Sequence, residues 1–218
     1  MTKPDLYELG DWCRVRDIEI SEAQLEQFSL YKKNLLIWNE RINLTAITDD
    51  TGIWQKHLAD SLTLLSLIKG ERLLDIGTGA GFPGIPIKIM RPGLDVSLLD
   101  SLRKRQLFLQ DTITQLGLTK ITLLHARAED LAKDSTYKRQ FDICTARAVA
   151  RLDKLCKYAL PFLKKDGLFL AMKGPDAEAE VRAALPLIKK LGGELLEIKK
   201  EEIVPGLVHS IVIICYTE

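Results

Sequence analysis

The sequence predicts an α/β protein: a Rossmann-like, mostly parallel sheet with one antiparallel C-terminal strand, preceded by a helical extension. Three observations predict it. From residue 71 onward, short apolar runs alternate with segments of helical spacing, the pattern of a parallel sheet covered on both faces. The run R-L-L-D-I-G-T-G-A-G-F-P-G-I-P-I-K-I-M (72–90) enters closely spaced glycines from one apolar stretch and leaves them by another. The last two apolar runs have no helix-length connector between them, which reads as an antiparallel hairpin added at one edge. Residues 1–70 are therefore expected as a helical extension packed on the core, and 71–218 as the Rossmann-like domain.

The elements follow in order. Ser21 and Gln24 fit a capping box. Leu25, Phe28, Leu35, Trp38 and Ile42 then recur at helical spacing, predicting a helix over 22–41. After a turn-like N-L-T-A-I-T-D-D, Asp50 or Thr51 is expected to cap a second helix running through Leu67, closed by Gly70. Strands are expected at Leu73–Ile76, Val96–Leu99, Ile121–Leu124, Phe141–Thr145 and Leu168–Met172. Helices are expected at Ile85–Met90, Leu102–Leu116, Leu152–Leu163 and Ala177–Leu191. Glu194–Lys199 and Ile211–Tyr216 complete the sheet.

The 218 residues suffice for one full-sized core. Lys plus Arg number 31 and Asp plus Glu 30, so total charge says little about partners. Cys13, Cys144, Cys156 and Cys215 form no C-x-x-C pair and read as buried thiols, with no metal site expected. The N-terminus has no apolar signal region and no run approaches a membrane span, so a cytoplasmic protein is expected; a monomer is expected as well.

Two readings compete for the glycines. Gly79, Gly81 and Gly84 give the literal dinucleotide fingerprint, whereas Asp75 with Gly77, Gly79 and Gly81 gives a different cofactor loop. Either places backbone at the carboxyl edge of the sheet, where ligands bind in such folds. Asp100 ends the second strand, 23 residues after Gly77, where a carboxylate can accept both ribose hydroxyls of an adenosine. NAD and S-adenosylmethionine both fit an adenosine site. Pro83 and Pro86 lack the N–H groups a pyrophosphate wants. Asp75 stands where it could approach an amino-acid tail. No Y-x-x-x-K pair and no second domain serve a hydride acceptor. These features favour S-adenosylmethionine. After the third strand, H-A-R-A-E-D offers a backbone N–H at Ala128 or Glu129 to the adenine ring, or simply starts a short helix.

The acceptor is read from the residues after the fourth strand, F-D-I-C-T-A-R-A-V-A. The N-P-P-Y or D-P-P-Y of exocyclic amine transfer is absent. Cys144 lies within a strand pattern and reads as core, not as a nucleophile. Arg147 is an always-charged planar donor for a cofactor carboxylate, a phosphate or a base edge, unless it is simply paired with an acid. Residues 138–173 carry nine Lys or Arg against three Asp, and Arg103, Lys104 and Arg105 follow Asp100. Such concentrations suit a phosphate backbone, with a solvated helix face as the alternative. His57 reads as structural rather than catalytic.

Taken together, N-L-T (43–45), H-L-A-D-S-L (57–62), D-I-G-T-G-A-G-F-P-G-I-P (75–86), L-L-D-S-L-R-K-R (98–105), R-A-V-A (147–150) and M-K-G (172–174) resemble one family. It is the bacterial ribosomal RNA small-subunit methyltransferase G family, also called glucose-inhibited division protein B. The likeness runs over about 35–175. It implies a class I methyltransferase fold and methylation of guanine N7 in the decoding-region loop of 16S rRNA, using S-adenosylmethionine, with 16S rRNA or the small ribosomal subunit as partner. The cofactor contacts it implies are Gly77 and Phe82 in the glycine loop, Ala128 and Glu129 after strand three, and Arg147 after strand four. Gly79 joins them from the glycine spacing and Asp100 from the ribose argument. No general base is expected. An NAD-dependent reductase and a non-catalytic ribosome-associated module are the competing classes.

Overall fold

The computed structural model describes residues 6–147 and 150–218. The extension holds α1 (Tyr7–Val15) and α2 (Glu22–Ile42). The expected capping box is present: the Ser21 hydroxyl accepts from the Gln24 N–H at 3.2 Å, and the Gln24 amide oxygen accepts from the Ser21 N–H at 2.9 Å.

The expected second helix does not run unbroken to Leu67. It starts as α3 (Asp50–Ile53), capped one residue earlier than expected by Asp49, whose carboxylate accepts from the Gly52 N–H at 2.7 Å. It then widens into a π-helical turn, Trp54–Ala59, returns to α4 (Asp60–Leu62), and ends in a 3₁₀ turn, Leu65–Leu67. Within the π-helical turn the Lys56 carbonyl accepts from Arg147 at 2.9 Å.

The sheet domain follows as β1 (Arg72–Ile76), α5 (Gly84–Met90), β2 (Asp95–Asp100), α6 (Arg103–Gln115), β3 (Ile121–His125), α7 (Ala128–Leu131), β4 (Phe141–Arg147), α8 (Leu152–Ala159), β5 (Leu163–Lys173), α9 (Glu178–Lys190), β6 (Gly193–Val204) and β7 (Leu207–Tyr216). The seven strands lie in the order β3-β2-β1-β4-β5-β7-β6. The first five are parallel, and β7 runs antiparallel to both β5 and β6. The hairpin thus sits at one edge of the sheet, as expected, next to β5. The last three strands are longer than expected: β5 and β6 continue through charged residues that apolar patterning misses, and β7 starts earlier, at Leu207 after the turn.

Side-chain alternation along the strands divides the core in two. Leu73, Leu98 and Ile143 face a layer built from α5, α6 and the extension, including Leu9, Phe28, Tyr31, Leu35 and Leu58. Leu74, Leu99 and Cys144 face α8 and α9, through Leu155, Cys156, Val181 and Ile188. Cys144 is fully buried and its thiol is pushed well above the usual range by burial, in keeping with a core role. Strand order reverses between β1 and β4, which opens a crevice at their carboxyl ends. Among the described residues, no helix is long and apolar enough to cross a membrane.

Candidate active site

The glycines of both readings are structurally required, for different reasons, and this does not choose between the cofactors. Gly77, Gly79 and Gly81 have φ of 66°, 61° and 94°, a region that L side chains rarely adopt. Gly84 is helical, and its constraint is space. A Cβ there would lie 2.4 Å from Leu98 Cδ2 and 2.9 Å from Asp75 Oδ2. Glycine at this position lets α5 pack against the sheet.

Asp75 does not face a cofactor tail, contrary to expectation. It is fully buried under the loop. Its Oδ2 accepts from the Thr78 hydroxyl at 2.5 Å and the Gly84 N–H at 2.9 Å, and its Oδ1 from Thr145 at 3.2 Å. Burial raises its pKa to about 6, against the pull of these hydrogen bonds. Asp75 therefore staples the two ends of the glycine loop.

Two adjoining cavities open at the carboxyl edge. The larger, about 500 Å³, is bounded by the glycine loop, Phe82, Asp100, Arg105 and Arg147 on one side and by Leu44, Thr45 and His57 on the other. The smaller, about 350 Å³, lies between the ends of β2 and β3 and the start of α7, against Tyr158 and Lys154. They share Gly77, Asp100 and Ser101. Gly77, Gly79, Phe82, Asp100 and Arg147 surround the first cavity; Ala128 and Glu129 line the second. Four loops distant in sequence thus converge on one crevice.

Asp100 is more heavily engaged than the ribose argument assumed. Its Oδ1 accepts from the Leu102 N–H at 2.8 Å, while its Oδ2 accepts from the Gly79 N–H at 3.0 Å and from Arg105 at 3.1 Å. A carboxylate offers about four acceptor positions. One hydroxyl finds a free position; a second requires Arg105 to move. Ala128 and Glu129 are the first two residues of α7, so the short-helix reading holds, and the first amides of a helix lack intrahelical partners. Glu129 accepts from the Tyr158 hydroxyl at 2.7 Å, which lowers its pKa.

Arg147, at the end of β4, is held by the extension. It donates to Asp60 Oδ2 at 3.1 Å and lies 3.2 Å from His57 Nδ1. Its guanidinium sits 4.8 Å from the Phe82 ring centre, and the His57 ring stacks on Phe82 at 4.6 Å. The paired-with-an-acid alternative thus holds for Arg147, at a position that still lines the cavity. The other carboxylate oxygen of Asp60 pairs with His209 of β7. Burial, reinforced by Arg147, lowers the His57 pKa to about 4. Sequence reasoning missed Leu44, Thr45, Asp60 and His209. The first three lie in the N-L-T and H-L-A-D-S-L motifs; nothing in the tail marked His209.

The basic stretch 138–173 is not one surface. Arg139 donates to the Leu160 carbonyl at 2.8 Å and Lys164 pairs with Asp142 at 2.7 Å, both at the amino ends of β4 and β5. Lys173 is tied to Glu180 at 2.8 Å. Arg151 and Lys154 stand at the carboxyl edge, beside the crevice, as do Arg103 and Lys104 at the start of α6. In the R-A-V-A motif, Ala148 and Val149 lie outside the described residues.

Residues 24–204 match the model of a family described as rRNA small subunit methyltransferase G. The ribosomal RNA small subunit methyltransferase G of Desulfitobacterium hafniense is 53% identical, over 88% of this chain and 80% of that protein. The protein of the same name from Clostridium novyi is 45% identical, over 91% and 83%. Among solved structures, ribosomal protein L11 methylase from Lactobacillus delbrueckii subsp. bulgaricus aligns with a TM-score of 0.56 at 16% identity, covering 73% of this chain and 77% of that one. TrmN from Thermus thermophilus aligns at 0.55 and 22%, covering 72% and 47%. At such identities the likeness is one of fold.

Proposed function

The chain belongs to the rRNA small subunit methyltransferase G family, and from that premise we propose that it methylates N7 of a guanine in the decoding-region loop of 16S rRNA, in the bacterial cytoplasm, with S-adenosylmethionine as donor. The observation that carries the reading is the pair of cavities joined at Gly77 and Asp100, at the point where strand order reverses.

The residues present fit this donor. Among the described residues, chain neighbours aside, a Cβ added at Gly79 meets within 4 Å just the Gly77 carbonyl, at 3.9 Å, so the loop is an open backbone cradle that a side chain would fill. In this reading Gly77 and Gly79 lie under the donor, Asp100 takes the ribose, the amides of Ala128 and Glu129 meet the adenine, and Phe82 and Arg147 bound the methyl-transfer end. When bound, the donor supplies a sulfonium methyl group. The protein's part is alignment, for which effective molarities of order 10⁵ M or more are available. Guanine N7 carries an in-plane lone pair and no proton, so methylation there needs no general base. A histidine held near pKa 4 suits such a site.

The test is transfer of labelled methyl groups to unmethylated small subunits, followed by nucleoside analysis. The expected product is N7-methylguanosine, cleavable at that nucleotide by reduction and aniline. His57→Ala should retain single-turnover transfer within about tenfold, the lower end of general-base effects being larger, and Arg147→Ala should lose far more. A cleavage-resistant product overturns the N7 assignment, and tight NADH binding without S-adenosylmethionine binding overturns the cofactor.

A further inference from the structure

The larger cavity has walls of two origins. One is the glycine loop with the ends of β2 and β4. The other, formed by Leu44, Thr45 and His57, comes from the extension before β1, and the β/α repeat by itself does not supply it.

The Leu44–Thr45 loop is rigidly built. Asn39 Oδ1 accepts from the Leu44 N–H at 2.6 Å and the Thr45 N–H at 2.9 Å, and Asn39 Nδ2 donates to the Thr45 carbonyl at 3.0 Å. Asn43 turns the chain with φ of 48°. Loops held this firmly are what a positioning site requires. The π-helical turn opposite carries His57, and such turns are frequent at functional sites.

Proton bookkeeping gives Thr45 a direction. Arg147 Nη2 lies 3.2 Å from His57 Nδ1. A guanidinium only donates, so Nδ1 accepts and the ring proton is on Nε2. Nδ1 is also 3.0 Å from the Lys56 carbonyl, but a proton placed there would face the guanidinium N–H, and that carbonyl already receives Arg147 Nη1. His57 Nε2–H then donates to Thr45 Oγ1, 2.8 Å away, and the Ile47 N–H donates to the same oxygen at 3.0 Å. A hydroxyl has two lone pairs and one proton. Both lone pairs are filled, which leaves the Thr45 proton to seek an acceptor.

We propose that the extension wall receives the target base, and that the Thr45 hydroxyl donates to O6 of the guanine, making it a specificity-determining residue. This rests on the guanine-N7 reading above. O6 adjoins N7 on the same purine edge, whereas adenine presents an amino donor there. A donor at Thr45 thus selects guanine while leaving N7 free, and the half-buried Leu44 offers an apolar surface to the unstacked ring.

The test compares Thr45→Val, which keeps the shape and loses the donor, with Thr45→Ser, which keeps the donor. The substrates are an rRNA fragment or small subunits carrying guanine, or 2-aminopurine lacking O6, at the target position. Thr45→Val should lower kcat/KM by about tenfold, the scale of one hydrogen bond, and Thr45→Ser should restore it within about threefold. S-adenosylhomocysteine affinity by calorimetry should stay within about twofold in both. On 2-aminopurine, wild type and Thr45→Val should be alike, because the two deletions remove one interaction. Unchanged kcat/KM for Thr45→Val, a parallel loss of S-adenosylhomocysteine affinity, or multiplicative losses on 2-aminopurine would overturn the assignment while leaving the methyltransferase reading intact. A wild type that methylates no rRNA sinks both.

Discussion

His57 and Asp75 are both buried, and burial displaces them in opposite directions: His57 from 6.5 down to about 4, Asp75 from 3.8 up to about 6. As pH falls from about 6.5 to about 4, the unfolded chain protonates its histidine first, so stability held by the neutral His57 is lost over that window. Asp75 acts the other way; its contribution is full below about pH 3.8 and lost as pH rises to about 6. The two slopes largely cancel in the wild type. His57→Gln removes one of them. Its stability relative to wild type should improve by up to about 3 kcal/mol as pH falls through the histidine window, read from denaturant midpoints at several pH values; a difference flat in pH would mean His57 is not held neutral. Asp100 gives a second test. Asp100→Ala should weaken cofactor binding by about 1–3 kcal/mol and also lower the thermal midpoint, because Asp100 anchors the Gly79 and Leu102 amides. Cofactor affinity equal to wild type would remove it from the ribose role. Asp100 and the glycines were legible because their spacing is local to one β-α-β unit. Asp60 was not. Its partners Arg147 and His209 are 87 and 149 residues away, and no local pattern brings them together.

Gly84 shows how one element positions another. The N–H of this first residue of α5 donates to Asp75, which also holds Thr78 in the glycine loop, so helix and loop share one buried carboxylate. Gly84→Ala drives a methyl group against Leu98 and that carboxylate. It should cost about 1–3 kcal/mol as overpacking and weaken cofactor binding. For Gly93, in the turn before β2, no described residue other than its chain neighbours comes within 4 Å of an added Cβ. Gly93→Ala should therefore leave both thermal midpoint and affinity near wild type, and equal behaviour of the two variants would sink the packing argument. At this scale the sequence was informative where apolar periodicity is strong, as in β1 to β4, α2 and α6. It was silent on the break of the 50–67 helix. That π-helical turn accepts a guanidinium from β4, a tertiary contact with no local signature.

Across the whole molecule, a net charge of +1 cannot by itself draw the protein to RNA, so attraction must come from where the charges lie. The fold sorts them by sheet edge. Lys138 and Lys165 are exposed near the amino ends of β4 and β5, away from the crevice. Arg103, Lys104 and Lys154 are exposed beside it. The first turn of α6 holds no acidic residue, and cations there oppose the helix dipole, an arrangement that an RNA phosphate would relieve. Linear sequence could not reveal this sorting, because Lys138, Lys154 and Lys165 all come from one basic stretch and yet stand at opposite edges. Reversal of Arg103 and Lys104, which line neither cavity, to Glu should flatten the dependence of log RNA affinity on log salt by about 0.7–0.9 for each phosphate that is no longer neutralised, with S-adenosylhomocysteine affinity little changed. The same reversal at Lys138 and Lys165 should leave the slope where it was. A slope that responds equally at both edges would mean that RNA is held by diffuse charge rather than along the rim of the crevice.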